Sequence, residues 1–266
     1  MSRLVKKAPL LCGRRSLFLY DCPVRGLPPL RALLDPREAY AAAQSPLEGS
    51  VNIPLAEMSG RLHELPPRSR MISVVGDEPT GLTAVALLQA GGRSAEYVGP
   101  GRRADVPCPG RLWSPSSFVE EIACKLPPGR ALEMGCGSGR NLAYLAALGW
   151  SVSGFDVLPD ALERARDLIG RYAPGAAAQL VLKDCDRELP LLAEADIIVC
   201  SLYLPRGLLP RCASLMAPGA CLLVEVLSSR EAGLEELDPR MQQVHRSVSA
   251  SGMNRTICLE ARSPVE

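Results

Sequence analysis

Aromatic residues are scarce in this 266-residue chain, at 4%, and histidine is scarcer still, with only His63 and His245. A nucleic-acid surface that stacks bases on aromatic rings beside a basic patch is therefore not expected. The ten cysteines include no CxxC pair, and neither histidine lies near a cysteine cluster, so no zinc ligand set is expected. Scattered over so long a chain, the cysteines read as reduced thiols rather than as a disulfide framework. With 30 basic and 29 acidic residues the net charge is +1, which gives no field pointing to nucleic acid or a membrane surface. No uncharged apolar run reaches the ~18 residues of a membrane span, and the N-terminus lacks the apolar core of a secretory signal.

These absences point to a soluble intracellular protein, read as cytoplasmic. Residues 1–20 nevertheless carry Arg3, Lys6, Lys7, Arg14 and Arg15 with no acid before Asp21, a bias shared by organelle transit peptides. A mitochondrial or other organelle location thus stays open beside the alternative, a solvated basic arm.

What is present is a globular composition, 47% hydrophobic and 22% charged, at a length that fits two domains. From Leu30 onward short β-like runs alternate with helical patterns, the rhythm of parallel strands with crossover helices in an α/β fold. Strands are expected at 32–35, 50–53, 71–75 and 95–98, with helices near 38–43, 56–65 and 80–90. The breaker-rich run from Gly99 to Ser114 suggests a boundary. The expected organisation is a basic arm (1–28), a first domain (29–99), a linker (100–114) and a second domain (115–266). In the second domain strands are expected at 131–134, 151–155, 179–183, 196–200 and 221–226, helices at 116–125, 140–148, 160–172 and 208–215, and a closing antiparallel hairpin from 243–249 and 255–261.

The chemistry concentrates in Leu132-Glu133-Met134-Gly135-Cys136-Gly137-Ser138-Gly139-Arg140-Asn141, a strand entering a glycine-rich turn that opens a helix. Missing side chains at Gly135, Gly137 and Gly139 let backbone approach a ligand closely at a helix N-terminus. Arg140 stands where a dinucleotide fingerprint needs glycine, so the spacing is GxGxG and not GxGxxG. Asp156 ends the next strand, where an acid can hold ribose hydroxyls. Glu133 beside the turn would repel a pyrophosphate and suits a cationic ligand. The bland alternative is an ordinary strand–helix connection and a solvated strand-end acid.

On these residues the stretch from Pro115 to Glu266 resembles a class I S-adenosylmethionine-dependent methyltransferase, with a Rossmann-like sheet. The resemblance implies that Gly135, Gly137 and Gly139 pack against the methionine and ribose of S-adenosylmethionine. It places Glu133 near the amino-acid end, Asp156 on the ribose, and Asp184 near the adenine amino group. Cys136 and Cys185 fall among the expected cofactor-binding positions, as does Ser201 after the fourth strand. Tyr203 is the candidate catalytic residue, to orient a substrate or to move a proton. Cys136 could be a reactive thiol at a helix N-terminus, but also a small filler. The run from Gly137 to Ala146 is similar to the tellurite-resistance and thiopurine group of small-molecule methyltransferases. No metal is implied.

The first domain resembles the rhodanese-like sulfurtransferase domain in Leu33-Leu34-Asp35-Pro36-Arg37-Glu38 and Glu48-Gly49-Ser50-Val51-Asn52-Ile53-Pro54. That family delivers a cysteine nucleophile after the strand matching Ile72–Val75. Gly76 stands there instead, so the domain is expected to be a non-catalytic docking module for a protein partner. The expected function is methyl transfer from S-adenosylmethionine to a small-molecule or protein acceptor, with no nucleic-acid or membrane partner. The competing expectation is a non-enzymatic scaffold in which both domains have decayed.

Overall fold

The computed structural model describes residues 27–107, 109–227, 241–248 and 254–261. Most of the expected basic arm, together with Cys12, Cys22 and Cys108, lies outside them. The described chain divides into two compact units, with the boundary between Pro115 and Ser116.

The first unit contains β1 (Leu33–Asp35), α1 (Ala39–Gln44), β2 (Ser50–Asn52), β3 (Ile72–Val75), α2 (Glu78–Ala90) and β4 (Ala95–Gly99). The strands form a parallel sheet of order β2-β1-β3-β4. Leu34, Val51, Ile53, Ile72, Val74 and Leu88 fill its core. The Asp77 side chain caps α2 by accepting the Thr80 N–H at 3.0 Å.

Two expectations for this unit are corrected. Residues 56–65 form turns and a single 3-10 turn at Leu62–Glu64 rather than a helix. Gly60 interrupts the segment and Pro66 and Pro67 end it. Apolar spacing misled, because Met58 and Leu65 reach the core from turns. The 100–114 run is not a free linker either. Glu48 and Ala104 donate their N–H groups to the carbonyls of Arg102 and Pro46, each at 2.8 Å. Further along, the Arg31 N–H reaches the Arg111 carbonyl at 2.8 Å and the Arg111 N–H reaches Pro29 at 3.0 Å. Leu112 joins the first unit's core, so apolar content outweighs the backbone breakers.

The second unit contains α3 (Ser117–Ala123), β5 (Arg130–Met134), α4 (Arg140–Ala147), β6 (Ser151–Asp156), α5 (Pro159–Tyr172), β7 (Ala178–Leu182), β8 (Ile197–Ser201), α6 (Cys212–Leu215), β9 (Cys221–Leu227), β10 (Met241–Val248) and β11 (Asn254–Ala261). Its sheet has the order β10-β11-β9-β8-β5-β6-β7. Strands β5 to β9 are parallel, while β11 runs antiparallel to both β9 and β10. The expected C-terminal hairpin is therefore present. Near-continuous apolar runs in β8 and β9 match strands buried on both faces. Helix α5 buries Ala161, Leu162, Ala165, Leu168 and Ile169, one stripe at helical spacing. The expected helix at 208–215 shrinks to α6, since Pro210 pushes Leu209 out of helical conformation. Strand order reverses between β5 and β8, and in an open α/β sheet that switch point, at the carboxyl ends, is where ligands bind.

Candidate functional site

Every expected site residue except Glu133 lies at or just beyond the carboxyl end of β5, β6, β7 or β8. Glu133 sits one position from the end of β5 and is 2% exposed. The Asn141 amide donates to its Oε1 at 2.7 Å, and Asn141 Oδ1 accepts the Ser116 N–H at 2.8 Å. Oε2 has no hydrogen-bond partner among the described residues. Burial above all, then the charges of Asp156 and Glu225, push the Glu133 carboxyl up to about 8, while the Asn141 hydrogen bond opposes the rise.

The glycine turn closes on itself. Gly135 and Cys136 both donate N–H groups to the Phe155 carbonyl, at 2.8 and 3.0 Å, and Gly139 donates to Cys136 at 2.9 Å. The Gly137 N–H reaches Asp156 Oδ2 at 2.8 Å, and Asp156 Oδ1 accepts from Leu158 at 3.0 Å. With these four donors spent internally, the turn offers room rather than the row of free N–H groups a phosphate cradle would present.

The three glycines separate by role. At Gly137 (φ +53°) an added Cβ would meet nothing within 4 Å, so this position faces open space. At Gly139 (φ +74°) it would stand 2.6 Å from Ala165 Cβ and 2.9 Å from Ala165 Cα. The direction expected for a ligand at Gly139 is thus filled by α5, and the missing side chain serves helix packing. At Gly135 a Cβ would meet the Tyr203 ring at 2.6 Å.

Tyr203 is delivered by an unusual backbone. Leu202 has φ +60°, the one non-glycine positive φ among the described residues, and its N–H bonds the Glu225 carbonyl at 2.8 Å. The Tyr203 ring lies on Gly135 and its hydroxyl stands near the Asp186 carboxylate. Burial first, then the nearby Asp186 charge, raise the hydroxyl above its ordinary range. Raised in this way, the phenol holds its proton across the neutral range.

Cys136 is buried, and its thiol is driven upward by burial and by Glu133 and Asp156. Its Sγ faces Gly154, where a Cβ would come within 3.0 Å, so it fills space in the core. Cys185 is also buried, its thiol pushed up to about 11 chiefly by desolvation. Asp184 Oδ1 accepts the Asp186 N–H at 3.0 Å and Oδ2 pairs with Arg187 at 3.2 Å, which braces the loop after β7. The Ser201 hydroxyl donates to Glu225 Oε2 at 2.7 Å.

Glu225 was missed from sequence. It is the single charge in Cys221-Leu222-Leu223-Val224-Glu225-Val226-Leu227, and an acid inside such a run was the available signal. Asn141 and Ser116 were missed for another reason: the amide bridge joins segments 25 residues apart.

Residues 132–222 match the family model of the methyltransferase domain. That match lies wholly within the second unit. Over 172 residues the chain is 28% identical to "Uncharacterized protein UNK4.09" of Schizosaccharomyces pombe, covering 51% of this chain and 49% of that protein. The chain thus spans about half the length of the curated relative it matches. Among solved structures, a TehB-like S-adenosylmethionine-dependent methyltransferase from Corynebacterium glutamicum is 16% identical with a TM-score of 0.45, covering 55% of this chain and 87% of that one. The N-methyltransferase NodS from Bradyrhizobium japonicum is 18% identical with a TM-score of 0.46, covering 55% and 94%.

The residues fit a sulfonium cofactor on three observations. Glu133 Oε2 is buried without a partner, Gly137 borders open space, and the carboxylates nearest Glu133 in its electrostatics, Asp156 and Glu225, make the surroundings attractive to a cation.

Proposed function

We propose that the protein transfers a methyl group from S-adenosylmethionine to a small-molecule or protein acceptor. The observation that carries this reading is the orphaned, buried Glu133 carboxylate beside the open face of Gly137, at the point where strand order reverses. Bound there, the cofactor would supply an electrophilic methyl carbon to an acceptor lone pair, with its sulfur as the leaving group.

The chain's own residues hold and orient. Glu133 attracts the cationic end, Gly137 gives the ligand room, and Asp156, already bracing the turn through Gly137 and Leu158, keeps lone pairs for ribose hydroxyls. Asp184 and Cys185 border the adenine side, and Ser201 and Tyr203 the methyl side. Holding donor and acceptor in line can supply several kcal/mol of barrier lowering, so no dedicated nucleophile is required. Isothermal titration with S-adenosylhomocysteine tests the reading: micromolar binding supports it, and absence of binding by folded protein would favour the scaffold alternative.

For the first unit the proposed role is a rhodanese-like docking module without sulfurtransfer chemistry. Only Gly76 and Asp77 separate β3 from α2, and the Asp77 carboxylate occupies the Thr80 N–H that an anion would need.

A further inference from the structure

Beyond the donor site, a cavity of about 240 Å³ opens between the residues that follow β8 and the end of β9. Leu202, Leu204, Leu208, Val226 and Leu227 line it, and its charged member is Arg206. In the chain its lining residues flank donor-site residues: Tyr203, which lies on Gly135, stands between Leu202 and Leu204, and Val226 follows Glu225. Asp186 holds this loop by accepting the Arg206 backbone N–H at 2.8 Å, and its carboxylate also lies near the Tyr203 hydroxyl. The Arg206 guanidinium itself has no ion-pair partner among the described residues.

Glu133, Asp156, Asp184 and Glu225 belong to the donor side, Asp186 meets the cavity's loop at the Arg206 backbone N–H, and Arg206 is the charged residue among those that line the cavity. A cationic amine would be drawn to the acids and away from Arg206. An apolar molecule with a carboxylate would instead bury its body among the leucines and anchor its acid on the guanidinium, which leaves its far end toward the methyl donor. Leucine walls likewise give little to a nucleic-acid backbone.

We infer that this cavity takes the methyl acceptor, that the acceptor is a small apolar carboxylic acid, and that Arg206 selects it. The inference rests on the methyltransferase reading, and the experiment separates the two. The probes are 2-naphthoate, 2-naphthamide and 2-naphthylmethylamine, titrated by fluorescence into the full chain saturated with S-adenosylhomocysteine. The expected result is naphthoate binding about tenfold tighter than either relative. Arg206→Gln should erase that preference while naphthamide still binds, and Arg206→Lys should keep most of it. S-adenosylhomocysteine affinity should be unchanged in both variants, which shows that the donor site is intact. Equal binding of the three probes, tighter binding of the amine, or a carboxylate preference that survives in Arg206→Gln would overturn the inference. Failure of S-adenosylhomocysteine to bind would remove the methyltransferase reading and with it the acceptor role, whatever the naphthoate result.

Discussion

Asn141 donates its side-chain amide to Glu133 at 2.7 Å, which ties the first turn of α4 to β5 and leaves the other carboxylate oxygen bare. The contact partly solvates a group that burial otherwise penalises.

The first prediction follows from this carboxyl's rise from an ordinary 4.5 to about 8. Because the folded state holds a proton that the unfolded chain releases, this contribution to stability is fully present below 4.5 and is lost as pH climbs through about 8. Urea midpoints should therefore fall between pH 5 and 8.5, and Glu133→Gln should flatten that fall. A cation favours the charged form, so S-adenosylmethionine binding should expel a proton within the same window. Calorimetry in two buffers of different ionisation enthalpy measures it; zero net proton release at pH 7 would mean that Glu133 does not face the cationic amino-acid end of the ligand.

Asp156 does two jobs, and its removal should show both. Asp156→Ala strips the Gly137 and Leu158 N–H groups of their acceptor and removes the proposed ribose contact. S-adenosylhomocysteine affinity should weaken by ~1–3 kcal/mol, and the melting temperature should also drop. A lowered melting point with unchanged affinity would confine Asp156 to bracing the turn.

Gly137 and Gly139 should respond in opposite ways to the same change. Gly137→Ala meets no atom within 4 Å, so the folded protein bears only the cost of a positive φ, ~1 kcal/mol, but the new methyl intrudes on the ligand's space. Gly139→Ala forces a carbon to within 2.9 Å of the Ala165 backbone and should cost about 2–4 kcal/mol of stability. Thermal melts and titration together decide it: a Gly137→Ala protein that binds S-adenosylhomocysteine normally would show that the ligand lies elsewhere.

Local signals in the sequence carried most of the second unit. Apolar runs such as Ile197–Ser201 and the 3.6 period of α5 place strands and helices to within a residue or two, and the glycine turn marks the switch point. What stayed hidden depends on the third dimension. Nothing near Gly139 in the chain announces Ala165, 26 positions away, as the reason for that glycine. The Glu133–Asn141 contact could not be told from two unrelated polar residues, and Glu225 gains its meaning only when β9 comes beside β8. In the first unit, helical spacing at 56–65 lost to Gly60 and the flanking prolines, and the breaker-rich 100–114 run hid backbone pairing to residues 29–31 and 46–48.

The last prediction is that the first unit transfers no sulfur from thiosulfate to cyanide. The chemistry needs a thiolate at the end of β3, and Gly76 is there. Its surroundings have closed around the missing side chain: a Cβ at Gly76 would stand 3.2 Å from Arg37 Cγ and 3.4 Å from Asp35 Oδ1. Arg37, the nearest cation, is already engaged by Asp35 at 2.9 and 2.7 Å and by the Ser45 carbonyl at 2.9 Å, so it has little left for an anion. The Asp77 carboxylate sits at the mouth of α2, where a persulfide would need positive potential. Gly76→Cys should therefore remain inactive, since a thiol at φ +128° would be strained and would face a carboxylate rather than an anion-binding loop. A thiosulfate-to-cyanide assay on the full chain and on this variant settles the matter. Turnover that is lost on alkylating the cysteines would show that a thiol from elsewhere in the chain reaches the loop, and the docking-module proposal would fall.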